Sequence, residues 1–477
     1  MKNYLYIIST ALILFSGCKK FLDIEPVDYL QNDVAITTPA DLANVVEGIY
    51  DGMQNGMVLG GNRVIYADLL ADDTQVFESQ LSPFGTLEIY SRNMTSQIND
   101  LRSMWRDGYS AINRANNVIQ VIREQRLNDH PDYDATTFAI YEATALFARA
   151  AIHFEMVRFW GQPYDVEAQG GNTQLGIPYR TEPTLSGPDG LEKARNTVEE
   201  VYENVVADFQ AALVLLEPLG NGSALYANWY RHKIDKWAVK AYLSRVYFFM
   251  GRNQEASTLA EEVIGSGLFT LDAVPRANFT QATTTNTTEQ IFQLISFAED
   301  RTGNPAWGYT RFGSPLFGPD SNAKWLFHPG DVRLNNFSGY FYGNFFGDTT
   351  IAKYDKPNAV NGINMCVLRL AECFLTAAEA NLSSGGNGDA VRSATLYGEL
   401  YQLRTGNPAY IPSTNDSLLE LIRLERRLEL MFEGDRYHNL RRMKQPVRGG
   451  VPHNDASLLF KIPQEEMSGN SLMVQNP

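Results

Sequence analysis

Apolar residues recur every three or four positions through much of this chain, and each such stripe predicts a helix with one buried face. Leu101, Met104, Trp105, Ala111, Ile112, Ala115, Val118, Ile119 and Ile122 form the first long stripe. Phe138, Tyr141, Ala145, Ala148, Ile152, Met156 and Phe159 form the second, with residues 129–132 as the turn between them. Gly161 and Pro163 stop this helical hairpin. A third stripe runs from Val198 to Leu216, a fourth from Trp237 to Phe249 and a fifth from Ala256 to Ile264. Residues 236–264 look like a tetratricopeptide unit, with small residues where the helices cross and Gly251 at the turn. A fainter copy covers 367–404. Ahead of them, 38–53 predicts a short helix with Thr38 as N-cap and Pro39 at its first position. The fold class that follows is all-α: a stacked, tetratricopeptide-like array of helical hairpins.

Elsewhere the period fails. Residues 55–61 are glycine-rich, 66–77 are acidic and only partly periodic, and 79–100 read as a loop. Residues 165–196 form a Gly- and Pro-rich loop. From 270 to 365 helical periodicity disappears; 291–297 is strand-like, and 301–347 is dense in Gly, Pro and aromatics. An irregular segment of that length in a helical protein usually carries function. Near the C-terminus, 417–444 predicts an amphipathic helix ended by Gly434, with Arg423, Glu425, Arg426, Arg427, Glu429 and Glu433 crowded into three turns. Glu425 falls in the apolar stripe, so it needs a partner from another element. Glu372 and Glu379, on one face of a helix over 367–382, are the expected acceptors for Arg426 or Arg427.

Composition narrows the function. The chain has 477 residues, 44% hydrophobic and 20% charged, with a net charge of −15. Residues 1–17 carry only Lys2, so their removal makes the charge still more negative. That balance argues against nucleic acid and against electrostatic docking on anionic lipid. Lys2 followed by the apolar run 4–15 is an export signal too short to span a membrane. Leu14, Phe15, Ser16, Gly17 and Cys18 resemble a bacterial lipobox, which places lipid on the Cys18 sulfur. Lys19 stands where an inner-membrane retention aspartate could have stood, which favours the outer membrane. Cys366 and Cys373, about 10.5 Å apart along a helix, exceed the disulfide reach of roughly 7 Å and read as buried thiols. The chain lacks a phosphate loop, a zinc-protease motif and a nucleophile elbow.

Several stretches together resemble the SusD/RagB family of nutrient-binding outer-membrane lipoproteins. They are the lipobox followed by FLDIEP, then 109–119, 142–164, 176–184, 201–213, 367–380, 425–442, and KIPQEEM with the terminal QNP. The resemblance implies a signal peptide at 1–17, a lipid-anchored tether at 18–37 and one SusD-like domain at 38–477. Within that domain it implies a helical core at 38–269 and 366–444, an irregular ligand-facing insertion at 270–365 and a tail at 445–477. It also implies a binding protein, without cofactor or metal, that passes oligosaccharide or, in some members, peptide to a TonB-dependent SusC-like transporter. An all-α glycoside hydrolase with paired carboxylates is the rival reading. Aromatics beside Gly and Pro present flat rings to sugars, so Trp307, Tyr309 and Trp325 are the candidate stacking platforms. The family builds its site from an early loop and the late irregular segment, which makes Asp72, Asp73 and Arg92 the candidate hydroxyl-binding partners. Replacing Cys18 by Ala should leave a folded but unanchored protein; fractionation of cells lacking the transporter checks this, and retention in the outer membrane would contradict it.

Overall fold

In the computed structural model, residues 36–477 are described except 78–84, 185–191, 227, 283, 298–299, 301–302, 304, 310–314, 336–337, 344–348 and 356–361. The signal, Cys18 and most of the tether lie outside the described residues. The first helix, α1 (Pro39–Gln54), starts where the sequence places it: the Thr38 hydroxyl accepts from the Asp41 amide, and the Asp41 carboxylate accepts from the Thr38 amide. Then come α2 (Gly61–Leu70), α3 (Asn99–Arg123), α4 (Ala135–Trp160), α5 (Val198–Leu216), α6 (Lys236–Phe249) and α7 (Asn253–Gly265). After the insertion follow α8 (Leu370–Leu382), α9 (Ala390–Thr405), α10 (Asn415–Glu429) and α11 (Asp435–Arg442). Side-chain caps at Asp134, Thr197 and Asp235 fix the starts of α4, α5 and α6. From α3 to α9 each helix packs on the next, and α8 also receives α10. This is the mainly helical, stacked-hairpin architecture that the periodicity predicts. At its centre, α4 is buried on all sides from Ala143 to Trp160.

The strands are short and paired antiparallel: β1 (Thr74–Val76) with β3 (Phe317–Pro319), β2 (Gln290–Leu294) with β6 (Met365–Arg369), and β4 (Phe341–Gly343) with β5 (Thr349–Ile351). A short helix, Thr86–Ser91, lies within the stretch read as a loop, and three further elements differ from the sequence reading. Residues 365–369 form a strand before α8 begins at Leu370, because this apolar run is buried on both faces against β2. The helix α2 has no polar face, so it shows no amphipathic period. The C-terminal helix stops at Glu429; Phe432 and Gly434 take left-handed backbone angles, and α11 restarts the chain in a new direction.

The charges of α10 also pair differently. Glu379 is held by Arg423 at 2.9 Å and Arg442 at 2.6 Å, and Glu372 by Arg245 at 2.6 Å. Arg426 reaches Glu372 only at 3.9 Å and is held chiefly by Asp435 at 2.7 Å. Arg427 turns to Asp73 at 2.6 Å. Glu379 of α8 is thus clamped by Arg423 of α10 and Arg442 of α11, and of the two expected cations only Arg426 approaches a predicted acceptor, Glu372, at 3.9 Å.

Glu425 and Glu429 point inward, into the insertion. Arg333 donates to Glu425 at 2.7 Å, to Glu429 at 3.0 Å and to its neighbour Asp331 at 2.7 Å. Arg369 donates to Glu429 and Glu289 at 2.7 and 2.8 Å, and Arg404 takes both Glu429 oxygens at 2.9 Å. Lys353 reaches Glu433 at 2.6 Å and the Met431 carbonyl at 2.8 Å. The three guanidinium groups are fully buried. Desolvation opposes ionisation of Glu429, but Arg404, Arg369 and Arg333 together hold its carboxyl well below the ordinary range. Glu425 goes the other way: burial, helped by the repulsion of Glu429, pushes it up against the pull of Arg333.

Removing one partner of a buried pair leaves an uncompensated charge, at a cost of about 3–5 kcal/mol. Glu429→Ala should lose stability on that scale in urea unfolding. Arg423→Ala removes a pair whose arginine is one-third exposed and leaves Glu379 with Arg442, so it should cost less than about 1 kcal/mol. Because the Glu429 pKa is depressed, its contribution is complete above the unfolded carboxylate pKa of about 4.3 and lost only as pH falls through the folded value.

Candidate ligand-binding face

The insertion is laid along α2, and a run of specific contacts sets its path. At one end the Gly61 amide donates to the Gly303 carbonyl. Gly303 lies so close to Gly56 that a Cβ on Gly303 would come within 2.4 Å of the Gly56 Cα, which excludes any larger residue there. Next, the Trp307 indole N–H donates to Asn62 at 2.9 Å. The Tyr309 hydroxyl then donates to Asp68 at 2.6 Å. Beyond the end of α2, β3 pairs with β1, and the Asp320 amide donates to the Asp73 carbonyl at 2.7 Å. Early loop and late irregular segment are thereby brought together, and the 3₁₀ turn Ala323–Leu326 lies just beyond.

That turn presents Trp325. Its side chain is 76% exposed, with the Lys324 ammonium 5.2 Å from the ring centre. A large flat apolar ring held out to solvent by a tight turn is suited to stacking on a sugar face. Trp307 is half-buried and edge-on to Phe317. Tyr309, also proposed as a platform, is 0% exposed. Its ring stacks on Tyr354 at 6.0 Å and its hydroxyl is spent on Asp68, so it packs the insertion down and does not face solvent.

Of the polar candidates, Asp72 pairs with Arg436 at 2.8 Å and Arg427 at 3.4 Å, and Asp73 pairs with Arg427 at 2.6 Å. Burial pushes Asp73 up despite these arginines; in the more open Asp72 Arg436 and Arg427 overcome desolvation and lower the carboxyl. These carboxylates fasten α10 and α11 to the early loop, where the sequence reading has them receiving hydroxyls. Arg92 lies on a different strip: it takes a left-handed conformation after a short helix and donates to the Arg448 carbonyl at 3.1 Å. Asn62 and Asp68, which shape the face, are absent from the sequence reading, which assigns Arg427 to Glu372 or Glu379 and gives Arg436 no site role. The arginines over 423–442 outnumber the carboxylates there, which is the available signal for Arg427 and Arg436. Among the described residues, no group of three or more His, Cys, Asp or Glu is placed to hold a metal ion.

Two family profiles match the chain. One, described as starch-binding and associating with the outer membrane, covers residues 20–248; the other, the SusD family, covers 330–456. Two curated proteins of Formosa agariphila are similar over nearly their full length. SusD-like protein P38 is 24% identical over 95% of this chain and 94% of its own, and SusD-like protein P2 is 26% identical over 100% of both. A solved SusD superfamily protein of Bacteroides thetaiotaomicron superposes with a TM-score of 0.78 at 25% identity, covering 92% of this chain and 100% of that one. A SusD-like carbohydrate binding protein of Bacteroides vulgatus superposes at 0.75 over 92% of this chain and 98% of its own; at 18% identity it speaks to the fold alone.

Asp68 gives this face a pH signature. Burial pushes its carboxyl up to about 8, with Asp73 adding to the rise and Tyr309, the Gly434 amide and Lys353 opposing it. The folded chain therefore holds a proton that the unfolded chain releases above about pH 4, and this group's contribution to stability falls as pH rises from about 4 to 8. Asp68→Asn should remove that part of the decline. Equilibrium unfolding of both proteins across the range checks it, and parallel curves would contradict it.

Proposed function

The chain belongs to the SusD/RagB family, a carbohydrate-binding family associated with the outer membrane, and on that premise we propose that it is a surface-exposed nutrient-binding lipoprotein. Lipid on Cys18 anchors it, residues 18–37 form the tether, and the single domain 38–477 captures oligosaccharide and delivers it to a TonB-dependent SusC-like transporter. The observation that carries this reading is Trp325, an exposed indole on a turn that the early loop and the insertion position jointly. Asp320 and Asn322, just before that turn, carry the carboxylate and amide groups for sugar hydroxyls.

The protein binds without transforming its ligand. A glycosidase needs one carboxyl free to donate a proton and a second to act as base or nucleophile. Here Asp72 and Asp73 are both committed to arginines, an arrangement that supports the binding reading over the enzymatic one.

A glycan array probed with the mature chain in detergent micelles should identify an oligosaccharide that the same preparation does not hydrolyse. Trp325→Ala should then weaken that ligand by about tenfold, since a stacked ring contributes roughly 1–2 kcal/mol beyond a truncated side chain. Calorimetry reads the affinity and circular dichroism the fold. A folded variant with wild-type affinity, or release of cleaved sugar by the wild type, would contradict the reading.

A further inference from the structure

A second concave region lies away from Trp325, between α1, α3 and the end of β2. It is a cleft of about 520 Å³, within the roughly 300–1,000 Å³ typical of small-ligand sites. It runs on along α1 and α3 into a shallower depression of about 390 Å³ that reaches Gly56 and Gly303, where the insertion crosses before continuing to Trp307. We propose that this cleft is a further subsite for a neutral oligosaccharide, engaged by the same chain that stacks on Trp325; the proposal rests on the carbohydrate-binding reading given above.

Three observations carry it. The first is apolar. Phe297 stands at the cleft wall with 43% of its surface exposed, while the preceding Leu294 and Ile295 are buried. The Phe297 amide donates to the Asp300 carbonyl at 2.8 Å, and both residues line the cleft. A half-exposed phenyl in a concave wall suits the C–H face of a pyranose.

The second is polar. Asp51 pairs with Arg114 at 2.8 Å, Lys233 with Glu47 at 2.5 Å, and Gln54 donates to Asp300. These partners lie in the exposed layer, where an ion pair contributes about 0–1 kcal/mol. Exchanging such a contact for a sugar hydroxyl therefore costs little. The other large groove, about 470 Å³ between α3 and residues 178–184, is different. Its Asn113 and Asn116 are committed to the carbonyls of Thr184, Arg180 and Glu182, and its Trp105 indole N–H to Glu466. Freeing those groups would unfasten the loop they hold.

The third is charge. Glu47, Asp51, Asp107 and Asp300 line the connected cleft against Arg114 and Lys233, an excess of acid. That excess disfavours sulfated and uronate-containing chains by like-charge repulsion and leaves neutral hexose chains as the fitting class.

The test uses the mature chain in detergent micelles on an array of neutral hexose oligosaccharides alongside sulfated and uronate-containing chains, followed by calorimetry with the neutral chain bound best. Phe297→Ala and Gln54→Ala are compared with Trp325→Ala, with thermal melts as the fold control; Gln54→Ala decides if Phe297→Ala melts early. The expected result is a loss of fivefold or more in affinity for the cleft variants at an unchanged melting temperature. Wild-type affinity in both cleft variants, with Trp325→Ala weakened, overturns the subsite and leaves the proposed function standing. Tightest binding to sulfated or uronate chains, reduced by Phe297→Ala, overturns the assigned ligand class. Failure of every array glycan to bind overturns both.

Discussion

The structure depends on one buried carboxylate. Glu429, the last residue of α10, receives Arg333 from the insertion, Arg369 from the end of β6 and Arg404 from α9. Four segments far apart in sequence meet at a single side chain with no solvent contact. A buried ion network contributes little net stability relative to a well-packed apolar core. Its value here is direction. The insertion has few backbone ladders of its own, and its 3₁₀ turns and three-residue strands cannot fix its position. The planar forks of Arg333 and Arg369 each satisfy several acceptors in one geometry only, so they set where residues 331–335 and the end of β6 lie against the helices.

From that anchor the rest of the face follows. Lys353 and the Tyr340 hydroxyl reach the carbonyls at the end of α10, and Tyr354 reaches the Phe432 carbonyl at 2.7 Å. Tyr354 stacks on Tyr309, Tyr309 holds Asp68, and Asp68 receives the Gly434 amide at which α11 starts. The insertion is thus bound from below by the charge network and along its side by α2. Among the described residues of the insertion, Trp325 on its turn is the aromatic left most exposed. The helical array supplies a rigid base, the network gives an irregular chain a defined path, and the path leaves one indole facing solvent.

The sequence carried the helices well where they are amphipathic and capped. Thr38 with Asp41 is a local signal, and α1 starts there. Glu425 was legible as an inward charge because it interrupts an apolar stripe, but its partner Arg333 lies 92 residues away in a segment with no period, so only the need was visible. The helix α2 was not legible, because uniform burial erases the polar face that a pattern search relies on. Residues 367–369 fall in the predicted helix because a short apolar run fits either period and only pairing with β2 decides between them. Tyr309 and Trp325 show the same limit at the site. Both sit in Gly-, Pro- and aromatic-rich chain, yet Asp68, 241 residues from Tyr309, draws one inward and nothing comparable draws the other.

The insertion is held by the same interactions that hold the helical core. Hydrogen exchange at single amides tests it directly. Tyr340 donates its amide to Arg333 and Ala352 donates to Tyr340, both at 2.7 Å and both next to the network. If the network fixes the insertion, these two amides exchange through the same opening as the amides at the C-terminal end of α10, with equal protection and equal loss in Glu429→Ala. Exchange at Tyr340 and Ala352 that is orders of magnitude faster, while α10 stays protected, would show the insertion opening on its own and contradict the account.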